Sequence, residues 1–412
     1  MKFIDFFSGV GGFRRGMELA GHECVGFCEF DKFAVASYTA MHLMTDDERE
    51  YISTLPKNKR VAEARKEEYR HGEWYANDIR RIFAEDIPKA DCWCFGFPCQ
   101  DISVAGKQLG FNGARSSLFF RVMRLVQDLE EKDRPAYLFI ENVKNLLSVN
   151  GGTDFLKLLI ALDEIGYDAE WQVINSADYV PQNRERVFII GHLRGRSSEQ
   201  VFPIEGADSE NCIRQVGNFM TTKKQSNPNQ GRIYAVDGIA PCLNKMDGGR
   251  REPYIAQPVF CDMSEGAGVQ QYEKAFCLQA RYNKGICNRR KGISGICVPV
   301  LTPDRAEKRQ NGRRMKGNGE PMFTLTGQDR HGVMISTPDG MAFYAIWYEK
   351  YQCYIAIRKL TPRECFRMQG WSDEYFNRAE LVNSDSQLYK QAGNGVTVPV
   401  IYEIAKRMSV EK

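Results

Sequence analysis

The strongest constraint on the fold is a rhythm. Up to residue 194, short apolar runs alternate with amphipathic stretches: KFIDFFSG, VGGFRRGMELAG, HECVGFCEF and DKFAVASYTAMHL, then DCWCFGF, SLFFRVMRLVQDLEE, AYLFIENV, FLKLLIALDEIG, EWQVINSADY and RVFIIGHL. Strand-length runs separated by helical patterns imply βαβ units, because parallel strands need a crossover long enough to carry a helix. The expected fold is α/β, a doubly wound, mainly parallel Rossmann-like sheet, whose ligands bind beyond the carboxyl ends of the strands. At 412 residues the chain has room for a second, smaller domain.

The rhythm stops near Gly195, where glycine, asparagine, arginine and proline become frequent. Charge divides the same way: residues 211–336 carry 20 Lys and Arg against 10 Asp and Glu, a net +10 within a chain of net +3, which leaves −7 elsewhere. A basic module joined to an acidic one is drawn to a polyanion, nucleic acid first. A weak repeat runs through it, GIAPCLNKMDGGR, KAFCLQARYNKG and GEPMFTLTGQDRHG, as extended segments with basic loops that would face a groove. These shifts divide the chain into residues 1–194, completed by 386–412, and a recognition domain at 195–385. The charged run at 45–75 reads as a surface insertion of two short helices.

Bulk properties exclude other classes. The 43% hydrophobic and 26% charged content is that of a soluble globular protein, and no apolar run approaches membrane-spanning length. The chain reads at once as a strand, so no cleavable leader is expected and the location expected is cytoplasmic. Thirteen cysteines without a repeating framework suggest reduced thiols. His22, Cys24 and Cys28 with Cys92 and Cys94 are too irregularly spaced for a zinc site, so no metal is expected.

The first strand runs into a turn with Gly9, Gly11 and Gly12, where a ligand can approach the backbone closely at a helix amino terminus. Glu29 follows Gly11 by 18 residues, a spacing that suits an acceptor for ribose hydroxyls. This layout points to a nucleoside-containing cofactor, a dinucleotide or S-adenosylmethionine. In CWCFGFPCQDISVAGKQLGF, Pro98 ends a strand and leaves Cys99 at its carboxyl edge. A cysteine alone is usually a small buried hydrophobe. Glu141 ends another strand, and Arg184 and Arg186 alternate, so both leave their strand on one face. A thiol, a carboxyl, an arginine and a nucleoside cofactor beside a basic module fit methyl transfer to a carbon that is not normally nucleophilic.

The chain also resembles the DNA (cytosine-5) methyltransferases. DFFSGVGGF, CEFDKFA, GFPCQDISVAGKQLGF, ENVKNL, PQNRERVFIIGH, KLTPRECFRMQG and QAGNGVTVP stand in the family's order across nearly the whole chain. The insertion before Asn77 is longer than in simple members, and Gly395 replaces a common serine. The resemblance implies an S-adenosylmethionine pocket lined by Phe7, Ser8, Gly9, Val10, Gly11, Glu29, Phe30, Asp78, Ile79 and Pro98, with Asn394 and Val396 reaching in. It implies Cys99 as nucleophile on carbon 6 of cytosine, Glu141 bonding ring nitrogen 3 and the exocyclic amine, and Arg186 binding the base carbonyl and lowering the thiol's pKa; Arg184 is counted with them among the catalytic residues. The loop Gln100 to Phe111 would close over the site. The implied partner is double-stranded DNA with the target base flipped out. The protein is expected to be a monomer, and any cognate restriction endonuclease is not required for activity. A transfer-RNA cytosine-5 methyltransferase is disfavoured by the long basic segment, and a catalytically silent DNA-binding protein by the intact Cys99, Glu141 and Arg186.

Overall fold

The computed structural model describes residues 1–98, 117–196, 200–204, 215–218, 232–235, 241–243, 254–258, 261–262, 270–271, 298–301, 331–336, 342–348 and 353–409. Cys99 and the loop Gln100 to Phe111 lie outside the described residues. The chain divides into two compact units, the first made of 1–213, 239–251 and 361–412 and the second of 214–238 and 252–360.

The first unit is built on a seven-stranded sheet in the order β3-β2-β1-β4-β5-β7-β6. Its strands are β1 (Lys2–Phe6), β2 (Glu23–Cys28), β3 (Trp74–Ala76), β4 (Cys92–Phe95), β5 (Tyr137–Val143), β6 (Tyr167–Asn175) and β7 (Glu185–Leu193). The five strands from β3 to β5 are parallel, and β7 runs antiparallel between β5 and β6. The doubly wound, mainly parallel sheet expected from the rhythm is the one found.

Both faces are covered, which is why the central strands read as unbroken apolar runs. On one face Ile4, Phe6, Trp93, Phe95, Leu138 and Ile140 meet Val122 and Leu125 of α5 (Ser117–Asp128) and Leu158 and Leu162 of α6 (Thr153–Glu164). On the other, Phe3, Cys92, Cys94 and Phe139 meet Phe13 and Met17 of α1 (Gly12–Leu19) and Ile401 and Ile404 of α10 (Val398–Ala405). Gly16 lets these two helices touch: a Cβ there would stand 2.5 Å from Ile401 Cβ.

Three boundaries differ from expectation. The insertion does form two helices, α3 (Asp46–Thr54) and α4 (Lys57–Glu63), but its charged tail also supplies the edge strand β3, and Ile52, Ala64 and Tyr69 are buried against Ala36, Ala40 and Val382. Residues 361–385, assigned above to the recognition domain, belong to the first unit. They form α7 (Pro362–Arg367) and α8 (Asp373–Val382), followed by α9 (Asp385–Asn394). Asn383 donates to Phe33 O and Ser37 Oγ of α2 (Lys32–Tyr38), so this segment is tied to the sheet domain by its own polar contacts. Residues 195–213 also belong there, since Val201, Phe202 and Ile204 enter the core. Of the first copy of the repeat (Gly238 to Arg250) only residues 241–243 are described, and they fall in the first unit for a similar reason: Leu243 N donates to Gln182 Oε1 (3.0 Å) and Leu243 O accepts from Arg184 (3.1 Å). The second copy lies outside the described residues, and of the third only His331 and Gly332 are described.

The second unit holds a seven-stranded sheet in the order β13-β14-β15-β16-β10-β9-β8. These are β8 (Gln215–Asn218), β9 (Arg232–Ala235), β10 (Tyr254–Pro258), β13 (Val298–Leu301), β14 (His331–Ser336), β15 (Ala342–Tyr348) and β16 (Cys353–Lys359), with the small pair β11 (Cys261–Asp262) and β12 (Gln270–Gln271) apart. All pairings in the large sheet are antiparallel except β9 with β10.

Candidate active site

Register alone assembles the site. The last rung shared by five parallel strands is Ala76, Cys28, Phe6, Phe95 and Ile140. One residue further stand Asn77, Glu29, Phe7, Gly96 and Glu141, and after them Asp78, Phe30, Ser8, Phe97 and Asn142. Residues scattered over 136 positions of sequence therefore reach one carboxyl edge, where open α/β sheets bind ligands.

At the β1–β2 end the chain turns sharply. Phe7 has a left-handed backbone (φ 53°), uncommon for a residue with a bulky side chain, and Gly9 (φ 57°) and Gly11 (φ 83°) follow it. Glu29 is oriented by peptide groups: its carboxylate accepts Gly9 N–H at 2.8 Å and Asp31 N–H at 2.7 Å. Burial nevertheless raises its pKa, outweighing those donors. Phe30 beside it is 66% exposed, an apolar ring left standing at the edge. Asp78 is held by Arg80 through Nε (2.9 Å) and Nη2 (2.7 Å), and Ile79 behind it is buried. Ser8 Oγ is buried and makes no hydrogen bond among the described residues. Val396 closes over Gly12, whose Cβ would lie 2.6 Å from Val396 Cγ2, and Asn394 is exposed at the end of α9.

At the β4–β5–β7 end the groups are charged. Glu141 Oε1 meets Arg186 Nε at 3.0 Å, both side chains being largely but not wholly covered. Gly96 makes room for this carboxylate, since a Cβ there would be 3.1 Å from Glu141 Oε2. Asn142 donates to Phe97 O at 3.2 Å, fastening the irregular segment that follows β4; the strand ends at Phe95, three residues before Pro98 and not at it as expected, because the chain leaves the sheet at Gly96. Cys92 and Cys94 are buried in β4 with their sulfurs 3.7 Å apart.

Arg184, expected among the catalytic residues, is engaged by backbone carbonyls. Its guanidinium is buried and donates to the carbonyls of Leu243 (3.1 Å), Gly393 (3.4 Å) and Gly395 (2.8 Å). Both arginines do reach the Cys242 thiol, at 3.4 and 3.7 Å, as their alternation implies, but the ion pair with Glu141 belongs to Arg186. Sequence reasoning missed Gly96, Asn142 and Gln182; all three sit inside the quoted motifs GFPCQDISVAGKQLGF, ENVKNL and PQNRERVFIIGH, which is the signal that could have found them.

A methyltransferase-type α/β sheet with paired carboxylate and arginine at its carboxyl edge defines the class. The chain matches the family C-5 cytosine-specific DNA methylase over residues 1–410 and belongs to it; its activity is that of a DNA (cytosine-5-)-methyltransferase. It is 30% identical to the orphan methyltransferase M.SPRI of Bacillus phage SPR, covering 99% of this chain and 97% of that one. It is 28% identical to the type II methyltransferase M2.ScrFI of Lactococcus lactis subsp. cremoris, covering 99% of both, and 27% identical to the type II methyltransferase M.HhaI of Haemophilus parahaemolyticus, covering 98% and 93%. In fold it is similar to the Entamoeba histolytica methyltransferase EhMeth, with a TM-score of 0.54 at 15% identity over 99% and 97% of the two chains. The family implies S-adenosylmethionine as methyl donor. Among the described residues no helix is long and apolar enough to cross a membrane.

Proposed function

We propose that the protein methylates carbon 5 of a cytosine flipped out of a specific duplex DNA sequence, through a covalent bond from Cys99, working as a monomer and without need of a cognate restriction endonuclease. The observation that carries this reading is the Glu141–Arg186 ion pair one residue beyond the last rung shared by β4 and β5. S-adenosylmethionine, when bound, supplies an electrophilic methyl group. Glu29 would take its ribose hydroxyls, Phe30 and Ile79 would flank the adenine and Asp78 would hold its amino group, while Phe7 to Gly11, Pro98, Asn394 and Val396 would line the remainder. The unpartnered Ser8 Oγ and the exposed Phe30 ring fit such a guest.

At the other end Cys99 would attack carbon 6. Glu141 would bond ring nitrogen 3 and the exocyclic amine as charge develops there, and Arg186 would bind the base carbonyl. The new Cys99–carbon 6 bond would make carbon 5 nucleophilic; carbon 5 would take the methyl group as its bond to the donor sulfur breaks, leaving S-adenosylhomocysteine, and loss of the carbon 5 hydrogen to solvent as a proton would expel the Cys99 thiolate and restore the ring. Flipping the base costs a few kcal/mol, which the basic residues of 211–336 would offset by contacts to phosphates and base edges.

Duplex DNA with 5-fluorocytosine at the target tests this directly, because fluorine cannot leave as a cation. The expected product is a complex with the protein that survives denaturing electrophoresis, requires S-adenosylmethionine and is absent in Cys99→Ala. No adduct in the wild type on its proven site, or an undiminished one in Cys99→Ala, would overturn the mechanism. Transfer of labelled methyl to transfer RNA in preference to duplex DNA would overturn the substrate.

A further inference from the structure

Beneath the cofactor turn lies a histidine that no part of the reaction uses. After α2 the helix widens into a single π-turn over Thr39–Leu43, a rare feature that often marks functional sites. The carbonyls it frees are taken up by neighbours: Arg49 of α3 donates to Ala40 O and Arg378 of α8 to Met41 O. The widened turn places His42 in a cage of rings, with centroids 4.9 Å from Tyr38, 5.8 Å from Trp371 and 5.4 Å from Tyr375.

From this cage His42 Nε2 lies 2.9 Å from Val10 O, at the centre of the turn. A carbonyl only accepts, so Nε2 carries the proton and Nδ1 is left as a buried acceptor with no partner among the described residues. Burial, reinforced by Arg14, Arg15 and Arg378, keeps the ring neutral. Gly11 is part of the same fit: a Cβ would stand 2.5 Å from His42 Nε2 and 3.0 Å from a Tyr38 ring carbon.

We propose that His42 is a positioning residue for the methyl donor: its Nε2–H fixes the Val10 carbonyl, and with it the direction in which the peptide groups of residues 8–11 face the cofactor. The inference rests on the reading of that turn as the cofactor site. It also gives the charged insertion a task, since Arg49 helps hold the π-turn that carries the histidine.

The test compares His42→Leu, which keeps apolar bulk without the donor, His42→Gln, whose amide nitrogen can reach the same carbonyl, and Glu29→Ala. Affinity for S-adenosylhomocysteine is measured by calorimetry, with steady-state kinetics on the cognate duplex. In His42→Leu the cofactor affinity should fall, and KM for the methyl donor rise, by about 5- to 20-fold. The value of kcat at saturating donor and the affinity for DNA should stay within about twofold, and His42→Gln should recover most of the loss. Unchanged cofactor affinity in His42→Leu alongside a loss in Glu29→Ala overturns this inference and leaves the site assignment standing. No loss in either variant overturns the site assignment, and this inference with it. Should His42→Leu fail to fold, imidazole nitrogen NMR of the wild type decides: a neutral Nε2–H ring whose signals move on adding S-adenosylhomocysteine is expected, and an Nδ1–H or charged ring at neutral pH, or signals unmoved by the ligand, refutes the assignment.

Discussion

Two glutamates stand one residue beyond the last rung shared by the five parallel strands, three strands apart, and they are held in opposite ways. Glu29 at the end of β2 accepts peptide N–H groups, while Glu141 on β5 is paired with a guanidinium. The first arrangement suits a guest of fixed shape bound by hydroxyls, because backbone donors orient a carboxylate without neutralising it. The second suits a site where charge appears during reaction, because a pre-placed cation and carboxylate need little reorganisation when it does. On the proposed reading, one half of the edge serves affinity and the other rate.

If that division holds, substitutions should separate rate from affinity. The largest effect belongs to Glu141→Gln. It removes the charge opposite Arg186 while keeping the shape, so single-turnover methylation should slow by ~10²–10⁴-fold, the range for a positioned acid or base. Cofactor affinity should be nearly unaltered, since every proposed cofactor contact lies elsewhere. A parallel tenfold loss in both quantities would erase the division.

Arg184→Ala sharpens the comparison from within one strand end. Two residues from Arg186, this side chain serves structure: it satisfies carbonyls contributed by Leu243, Gly393 and Gly395. Its loss should cost about 1–3 kcal/mol of stability for each buried carbonyl left without a donor. Denaturant melts should therefore show a lowered midpoint in Arg184→Ala and little change in Arg186→Ala, whose defect should appear in rate.

The contrast between these arginines also marks how far the sequence could be read. Periodicity located most strands and helices of the sheet domain because burial on both faces leaves unbroken apolar runs. It passed over β3, where three residues at the end of a charged stretch pair only at the sheet edge, and it carries no sign that β7 runs antiparallel. Motif spacing singled out Glu29, Glu141 and Arg186, which strand register brings to one edge. It could not separate Arg184 from Arg186, because the carbonyls that claim Arg184 come from segments 59 to 211 residues away. Nor could composition place 361–385, whose attachment depends on polar contacts such as Asn383 with Ser37. His42 was invisible for the same reason: only a local widening of the helix turns it toward Val10.

The smallest effect, and the most specific, is a pH dependence at Glu29. Burial raises this carboxyl above the ordinary range, so in the absence of cofactor it takes up a proton at higher pH than in the unfolded chain. The stability it lends is accordingly full below its unfolded pKa and is lost as pH rises through the folded value. Cofactor acts in the opposite sense: ribose hydroxyls donate to the ionised carboxylate, so binding draws the pKa back down. Affinity should then increase with pH across the interval between the free and bound values, and level off above it. Glu29→Gln keeps an acceptor but cannot titrate. Calorimetry at a series of pH values should show it binding S-adenosylhomocysteine more weakly at neutral pH by about 0.5–1.5 kcal/mol, the usual worth of one hydrogen bond, with the slope at acidic pH abolished. A slope that survives in Glu29→Gln would assign the titration to another group, and would remove the reason for placing the ribose against the end of β2.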